Sequence, residues 1–321
     1  MKIKELIIYP SNICNLKCKH CYISREKPTS LDRDDLEWIK NTFNPKKTII
    51  LGGEPLIYDK LEDIFKLFPE TIMQISTNGL LVEENIDLLK KYNVLCQLSV
   101  EGGKKETDEI RGKGVWKKVF KSAKILKKNN IKNYIRASYH FDNLSNLKEV
   151  FEETKKVGSN VVLFPRVDLP PLDTVNQRNL FDYTLDNNGV VAQPHFMRYI
   201  GKKGRCGAGS ERLNVFYDKK ITPCNLDLGY KIGMIGDSEK KIKRSVDNYL
   251  ENFKTTPIEC IGCEHANECK GSCYVAKSYM GCPLRYRIDL GDYISNRKLD
   301  AQKVQNQVDV ATDFVREIIV C

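Results

Sequence analysis

The sequence predicts an α/β protein, a partial (β/α)6 barrel followed by a small cysteine-rich C-terminal domain. Three observations lead there. Apolar strand-like runs alternate with amphipathic helix-like runs from residue 5 to about 186, a repeat that implies parallel strands joined by right-handed crossovers. Clusters of glycine, cysteine and hydroxyl residues directly follow the first four strand candidates, where ligand sites gather in parallel sheets. The pattern then gives way to a stretch rich in cysteine, glycine and turns. A doubly wound sheet is the alternative reading of the same repeat.

The strand candidates are 6–9, 48–51, 72–76, 94–100, 134–139 and 161–167. Between and after them lie helical patterns at 32–42, 58–68, 83–92, 116–129, 143–156 and 174–186, each with apolar residues at helical spacing. In the first, Leu31, Leu36 and Ile39 show that period. Asn187-Asn188-Gly189 and Pro194 mark a connecting segment. Beyond it, 213–217 and 221–222 flank Asp218-Lys219-Lys220 as a β-hairpin would. Helices are expected at 238–253 and 299–320. The domain boundaries follow: a barrel core over 1–186, a linker over 187–205, a cysteine-rich domain over 206–290 and a helical tail over 291–321.

A chain of 321 residues, 41% of them hydrophobic, suffices for one large domain and a smaller one. No run approaches the roughly twenty apolar residues that cross a bilayer, and the N-terminus lacks the pattern of a secretory signal. A cytoplasmic protein with no membrane partner is expected. The net charge is +10, but lysine pairs such as Lys117-Lys118 and Lys127-Lys128 fall in helical patterns. They read as solvated helix faces, so no nucleic-acid partner is expected.

Cysteine carries the functional signal. Of twelve, Cys14, Cys18 and Cys21 form an N-terminal triplet. Cys206, Cys224, Cys260, Cys263, Cys269, Cys273 and Cys282 form a C-terminal group, leaving Cys96 and Cys321. Closely spaced cysteines in a reducing compartment indicate metal or redox chemistry rather than disulfides. The triplet occupies a loop after the first strand. A [4Fe–4S] cluster takes one thiolate per iron, so three cysteines leave one iron free for a ligand that is not protein. A tetrahedral zinc site is the alternative, with His20 as fourth ligand, but adjacent His20 and Cys21 converge poorly on one ion. Paired CxxC motifs in the C-terminal group read equally as structural zinc or as iron–sulfur ligands. Cys96, between apolar strand neighbours, reads as an inert buried thiol.

Cys14-x3-Cys18-x2-Cys21 after the first strand resembles the radical S-adenosylmethionine superfamily. Gly52-Gly53-Glu54-Pro55 after the second strand resembles that family's segment for the methionyl amino group, where glycines allow close approach and a carboxylate suits an ammonium. Ser76-Thr77-Asn78-Gly79 and Ser99-Val100-Glu101-Gly102 resemble further family segments, although the second usually carries Asp where Glu101 stands. Arg136 fits a position that meets the methionyl carboxylate. The resemblance therefore implies S-adenosylmethionine contacts at Gly52, Gly53, Glu54, Pro55, Ser76, Asn78, Ser99 and Arg136.

The C-terminal order Cys, Cys, CxxC-x5-C-x3-C, Cys is similar to the SPASM extension, which binds auxiliary clusters in peptide-modifying members of the family. By that resemblance Cys260, Cys263, Cys269 and Cys282 hold one auxiliary [4Fe–4S] cluster, and Cys206, Cys224 and Cys273 hold the other, for three clusters in all. The second has an open iron, or takes Asp218, Asp227, water or substrate as fourth ligand. Lys219 stands where the extension usually has glycine. With Cys14 so near the start, a leader peptide would need a separate recognition protein or another surface.

The resemblance implies an enzyme that generates a 5′-deoxyadenosyl radical and modifies a peptide or protein by hydrogen abstraction. The product would be a crosslink, thioether, dehydrogenated residue or epimer. A flavodoxin- or ferredoxin-type protein would supply electrons. A radical enzyme acting on a small molecule in cofactor biosynthesis is the competing reading, and an iron–sulfur electron carrier is a third. The glycine- and charge-rich segments 102–114 and 201–205 are candidates for shaping substrate access.

Overall fold

The computed structural model describes residues 1–166, 174–187, 189–191 and 207–251, with single positions at 169, 172, 261 and 262. In chain order the elements are β1 (Lys2–Ile8), α1 (Arg33–Thr42), β2 (Asn44–Ile50), α2 (Leu61–Leu67), β3 (Ile72–Thr77) and α3 (Ile86–Lys91). There follow β4 (Leu95–Glu101), α4 (Lys104–Arg111), α5 (Val115–Lys128), β5 (Asn133–Tyr139), α6 (Leu147–Lys156), β6 (Asn160–Pro165) and α7 (Thr174–Asp186). The described part ends with β7 (Val190–Val191), β8 (Arg212–Val215), β9 (Lys220–Thr222), β10 (Gly233–Met234) and a helix, α8 (Glu239–Glu251).

The strands form one sheet ordered β10-β9-β8-β1-β2-β3-β4-β5-β6-β7. From β1 to β7 each strand lies parallel to the one before it in sequence. This run has no reversal of order, so right-handed crossovers carry every connecting helix to the same face. That is the partial-barrel arrangement, and the doubly wound alternative is excluded. β7 adds two residues of strand inside the expected linker. β8 pairs parallel with β1 on its other side, and β9 and β10 continue antiparallel as the expected hairpin and a further short strand.

Alternate residues of each strand serve different surroundings. Leu6, Ile8, Ile50, Ile75, Leu98 and Ile135 belong to the main core, with Leu36, Ile39, Ile64, Leu89, Val119 and Val150 of the helices. Fully buried Cys96 lies in the same core, and burial pushes its thiol far up, as an inert cysteine requires. Ile7, Tyr9 and Ile49 point the other way, where they meet Ile23 and Phe216. Phe216 stacks on Tyr9 at 4.2 Å.

Three differences from the sequence reading have local causes. β2 begins at Asn44, four residues earlier than expected, because Pro45 and two lysines disguise its start. α4 lies within the glycine-flanked segment 102–114, and Thr107 is the one residue of the helix that is buried, so the apolar period is too faint to register. Lys219 takes the left-handed conformation with φ 69° at the hairpin turn, a position that favours glycine. Its ammonium lies 2.8 Å from Asp35, which belongs to the capping box of α1 with Asp32.

A buried charge cluster ties the two halves of the sheet together. Glu5 stands in register with Lys47 of β2 and Arg212 of β8, and all three are buried. Glu5 Oε2 accepts from Arg212 Nε at 2.9 Å and lies 2.8 Å from Nη2. Burial lowers Lys47 from 10.5 to about 8 despite the attraction of Glu5. Removing one member of a buried pair typically costs about 3–5 kcal/mol, so Glu5→Gln is expected to destabilise by that order in urea unfolding. Between pH 8 and 10.5 the unfolded chain retains the Lys47 proton that the folded chain has lost. Stability therefore rises with pH across that window. Lys47→Met should abolish the rise, as pH-resolved urea unfolding would show.

Candidate active site

The chain leaves β1 through Tyr9 and Pro10 into a loop that returns at Thr29 and Ser30. Asn12 closes it. Its Nδ2 donates to the carbonyls of Ser24 and Lys27 at 2.9 and 2.8 Å, and its Oδ1 accepts from Thr29 N at 2.8 Å. A backbone bridge between Ser11 and Ser30 completes the neck. Cys14, Cys18 and Cys21 all lie within this loop, as free, half-buried thiols.

The glycine pair after β2 packs against the near side of the loop. Gly53 N donates to Ser11 O at 2.8 Å, and Glu54 N donates to Ile13 O at 2.8 Å. A Cβ on Gly53 would lie 2.1 Å from Ile13 O, and Gly52 has φ 118° with its missing Cβ 2.5 Å from Ser11 O. Both glycines are thus required by the approach of two backbones. The Glu54 carboxylate, 2% exposed, accepts from Leu56 N at 3.1 Å, Thr77 Oγ1 at 2.7 Å and Asn78 N at 2.8 Å. Burial pushes its carboxyl up, and these three donors pull the other way. Both oxygens are therefore committed to joining the loops after β2 and β3. Pro55 starts a 3-10 turn immediately after it.

Donors converge on the thiols. Asn78 Nδ2 donates to Asn15 Oδ1 at 2.7 Å and lies 3.8 Å from Cys14 Sγ, which also accepts from Leu16 N at 3.4 Å. Arg25 Nη2 donates to Cys21 Sγ at 3.2 Å. Burial pushes the Cys14 and Cys18 thiols up, and charge on the neighbouring cysteines adds to that. Yet among the described residues no three Cys, His, Asp or Glu side chains converge as ligands of one ion do. Three thiols on one loop match the chemistry of an iron–sulfur cluster, which takes one thiolate per iron.

His20 is not a fourth ligand here. Its Nε2 lies 3.2 Å from Glu101 Oε1, and the same oxygen accepts from Arg111 Nε at 2.9 Å. Burial opposes the charge on Glu101, but Arg111 and then His20 outweigh it, holding the carboxyl well below the usual range. Glu101, the departure from the family's aspartate, thus links the loop to the end of α4. Lys19 N donates to Ile110 O at 3.1 Å beside it. Segment 102–114 therefore braces the cysteine loop.

The strand face opposite the main core is polar beside this loop. Gln74 Nε2 donates to Tyr134 OH at 2.9 Å, Tyr134 OH to Gln97 Oε1 at 2.8 Å, and Gln97 Nε2 to Ser76 Oγ at 2.5 Å. Ser99 and Arg136 are register partners one step further along β4 and β5, and Arg136 lies over the Phe164 ring at 4.2 Å. The sequence singled out Ser76, Ser99 and Arg136 but missed the Gln74–Tyr134–Gln97 chain. Its alternation of polar residues on otherwise apolar strands was the available signal.

Cys224 is buried just past β9, where its sulfur accepts from Leu226 N at 3.3 Å. Tyr9 connects it to the loop: the Tyr9 hydroxyl lies 3.1 Å from that of Tyr22, next to Cys21, and feels the charge of Cys224. Cys206, Cys260, Cys263, Cys269, Cys273, Cys282 and Cys321 lie outside the described residues. Asn12 and Arg25 escaped the sequence reading, since nothing in their spacing marks them, and Thr77 was read within its segment without its tie to Glu54.

This loop, clamped between the glycine pair and α4 at the carboxyl end of a parallel sheet, defines the class. Residues 8–165 match the Radical SAM superfamily, and the chain belongs to it. It is 28% identical over 159 residues to the sporulation killing factor maturation protein SkfB of Bacillus subtilis, an alignment covering 46% of this chain and 39% of that protein. It thus spans less than half of SkfB's length. It is 23% identical over 326 residues to the cysteine-type anaerobic sulfatase-maturating enzyme of Clostridium perfringens, covering 84% of this chain and 88% of that one. Its fold is shared with Streptococcus suis SuiB bound to the precursor peptide SuiA, at TM-score 0.70 and 21% identity, over 89% of this chain and 75% of that one.

Gly53→Ala drives a Cβ into a backbone carbonyl that cannot turn aside. It is expected to lower the iron retained after anaerobic reconstitution by at least about half while the far-UV circular dichroism is kept. Glu54→Gln replaces an acceptor of three hydrogen bonds by one with a single oxygen. A loss of about 1–3 kcal/mol in urea unfolding is expected.

Proposed function

We propose that this protein reductively cleaves S-adenosylmethionine and uses the resulting radical to modify a peptide or protein substrate. The observation that carries the reading is the Cys14–Cys18–Cys21 loop: three free thiols on one loop, fixed by backbone contacts and met by Asn78 and Arg25 donors. These cysteines would hold a [4Fe–4S] cluster with one iron left for S-adenosylmethionine. When bound, the cluster supplies the electron that breaks a carbon–sulfur bond, giving methionine and a 5′-deoxyadenosyl radical.

The chain's own residues bind and orient. With the Glu54 carboxylate committed to Leu56, Thr77 and Asn78, the methionyl ammonium is met by backbone carbonyls of the Gly52–Pro55 segment. Arg136, carrying a permanent charge, and the neighbouring Ser99 take the carboxylate. Ser76 spends its acceptor on Gln97, which turns its own O–H toward a cofactor atom. Asn78 stays with the loop.

Likeness to SkfB and the sulfatase-maturating enzyme supports a peptide or protein substrate, modified by crosslinking, thioether formation, dehydrogenation or epimerisation. The domain division proposed with it sets the core over 1–186, the linker over 187–205, the auxiliary-cluster domain over 206–290 and the tail over 291–321. Cys206, Cys224 and Cys273 would hold one auxiliary cluster and Cys260, Cys263, Cys269 and Cys282 the other. Electrons would come from a flavodoxin- or ferredoxin-type protein, and a separate recognition protein or another surface would hold the leader of the substrate. The cytoplasm suits all of this. Among the described residues no helix is long and apolar enough to cross a membrane.

Anaerobic reconstitution is expected to load about twelve irons per chain, four for each cluster. Dithionite and S-adenosylmethionine should then yield 5′-deoxyadenosine, and alanine at Cys14, Cys18 or Cys21 should abolish it. Cys224→Ala should lose iron yet still cleave S-adenosylmethionine. A peptide encoded beside this gene should change mass by two hydrogens, or exchange an α-hydrogen for solvent deuterium without other change. Iron near four per chain would refute the auxiliary clusters. An unmodified peptide, with turnover of a small molecule instead, would refute the substrate class.

A further inference from the structure

Arg25 stands four residues past Cys21, outside every motif considered above. Its guanidinium is held from two sides: Nη2 donates to Cys21 Sγ at 3.2 Å, and Nη1 donates to the carbonyl of Leu16. It therefore reaches across the loop from the third cysteine to the stretch between the first two. Its charge bears on all three sulfurs, Cys21 most strongly. Nε is buried with no hydrogen-bond partner among the described residues, which leaves a further N–H at the sulfur site. An arginine cannot lose its proton and can only donate, so each contact places positive charge on the ligand set.

We infer that Arg25 sets the reduction potential of the cluster held by Cys14, Cys18 and Cys21, by donating to the Cys21 sulfur and placing a fixed positive charge beside the ligands. The inference rests on the cluster proposed above. Reduction adds one electron, and so one negative charge, to a cluster already ligated by thiolates. A cation and an N–H···S bond stabilise the reduced form more than the oxidised one and raise the potential. Arg25 touches no bond that breaks. It is a positioning and tuning residue, and Lys is a poor replacement because it has no fork to span Leu16 and Cys21 together.

The test is an anaerobic redox titration followed by electron paramagnetic resonance, reading the signal that shifts when S-adenosylmethionine is added. Arg25→Gln is expected to load iron like the parent and to bind the electron about tenfold more weakly, a fall of about 59 mV for a one-electron couple. Arg25→Lys, which keeps charge but not geometry, should fall between the two. An unchanged midpoint in Arg25→Gln with normal iron would overturn the inference. Iron lost equally from both variants would overturn it too, by making Arg25 a brace for the loop. If the parent shows no signal that responds to S-adenosylmethionine, the proposed function fails first and this inference falls with it.

Discussion

The site depends on two stretches of backbone lying closer together than side chains permit. Ser11–Ile13, leaving the first strand, and Gly52–Glu54, leaving the second, hydrogen-bond directly, and Cβ atoms on the two glycines would overlap carbonyl oxygens. Everything chemical follows from that contact. It fixes where Cys14 begins, it turns the Glu54 carboxylate inward to collect Thr77 and Asn78, and it brings Asn78 within reach of the Cys14 sulfur. Three consecutive strand ends are thereby locked into one rigid rim. Reacting groups placed on such a rim keep their geometry without needing a ligand to impose it.

The sheet behind the rim divides its labour by parity. One set of alternate residues feeds the continuous apolar core under the helices. The other carries Glu5, Lys47, Gln74, Ser76, Gln97, Ser99, Tyr134 and Arg136, most of them satisfied by one another. Buried polar groups of this kind cost free energy unless every member finds a partner. The Gln74–Tyr134–Gln97–Ser76 chain meets much of that demand in sequence, with Gln74 Oε1 left without a partner among the described residues, and it leaves a hydroxyl at its upper end. A lumen of leucines would be more stable and could orient nothing.

Much of this was legible in the amino-acid order. Six strand–helix units were visible because one strand face and one helix face are apolar at their own periods, and the cysteine triplet was visible because ligand spacing is local. What escaped depends on partners distant in sequence. Glu54 looked like a ligand for an ammonium, and only the fold shows its oxygens taken by residues of the next strand end. Glu101 looked like a departure from pattern, and the fold gives it His20 and Arg111. Lys219 looked unsuited to its turn until Asp35, far earlier in the chain, met its ammonium. Helix α4 hid because it buries almost nothing. Its purpose lies in the loop it supports, and no periodicity reports that.

The pairing of β1 with β8 has a consequence for how the molecule is made. One edge of β1 meets β2 within about forty residues, but its other edge waits for Arg212–Val215, some two hundred residues later. During synthesis the strand that launches the cysteine loop is half-paired for most of the time the ribosome spends on the chain. Such an edge invites wrong partners until its own arrives. Glu5 borders that edge, beside Lys47 of β2 from early on, and its carboxylate gains its hydrogen-bonded partner only when Arg212 arrives. The ion pair that joins the two parts of the finished sheet thus forms only at the step that closes this edge.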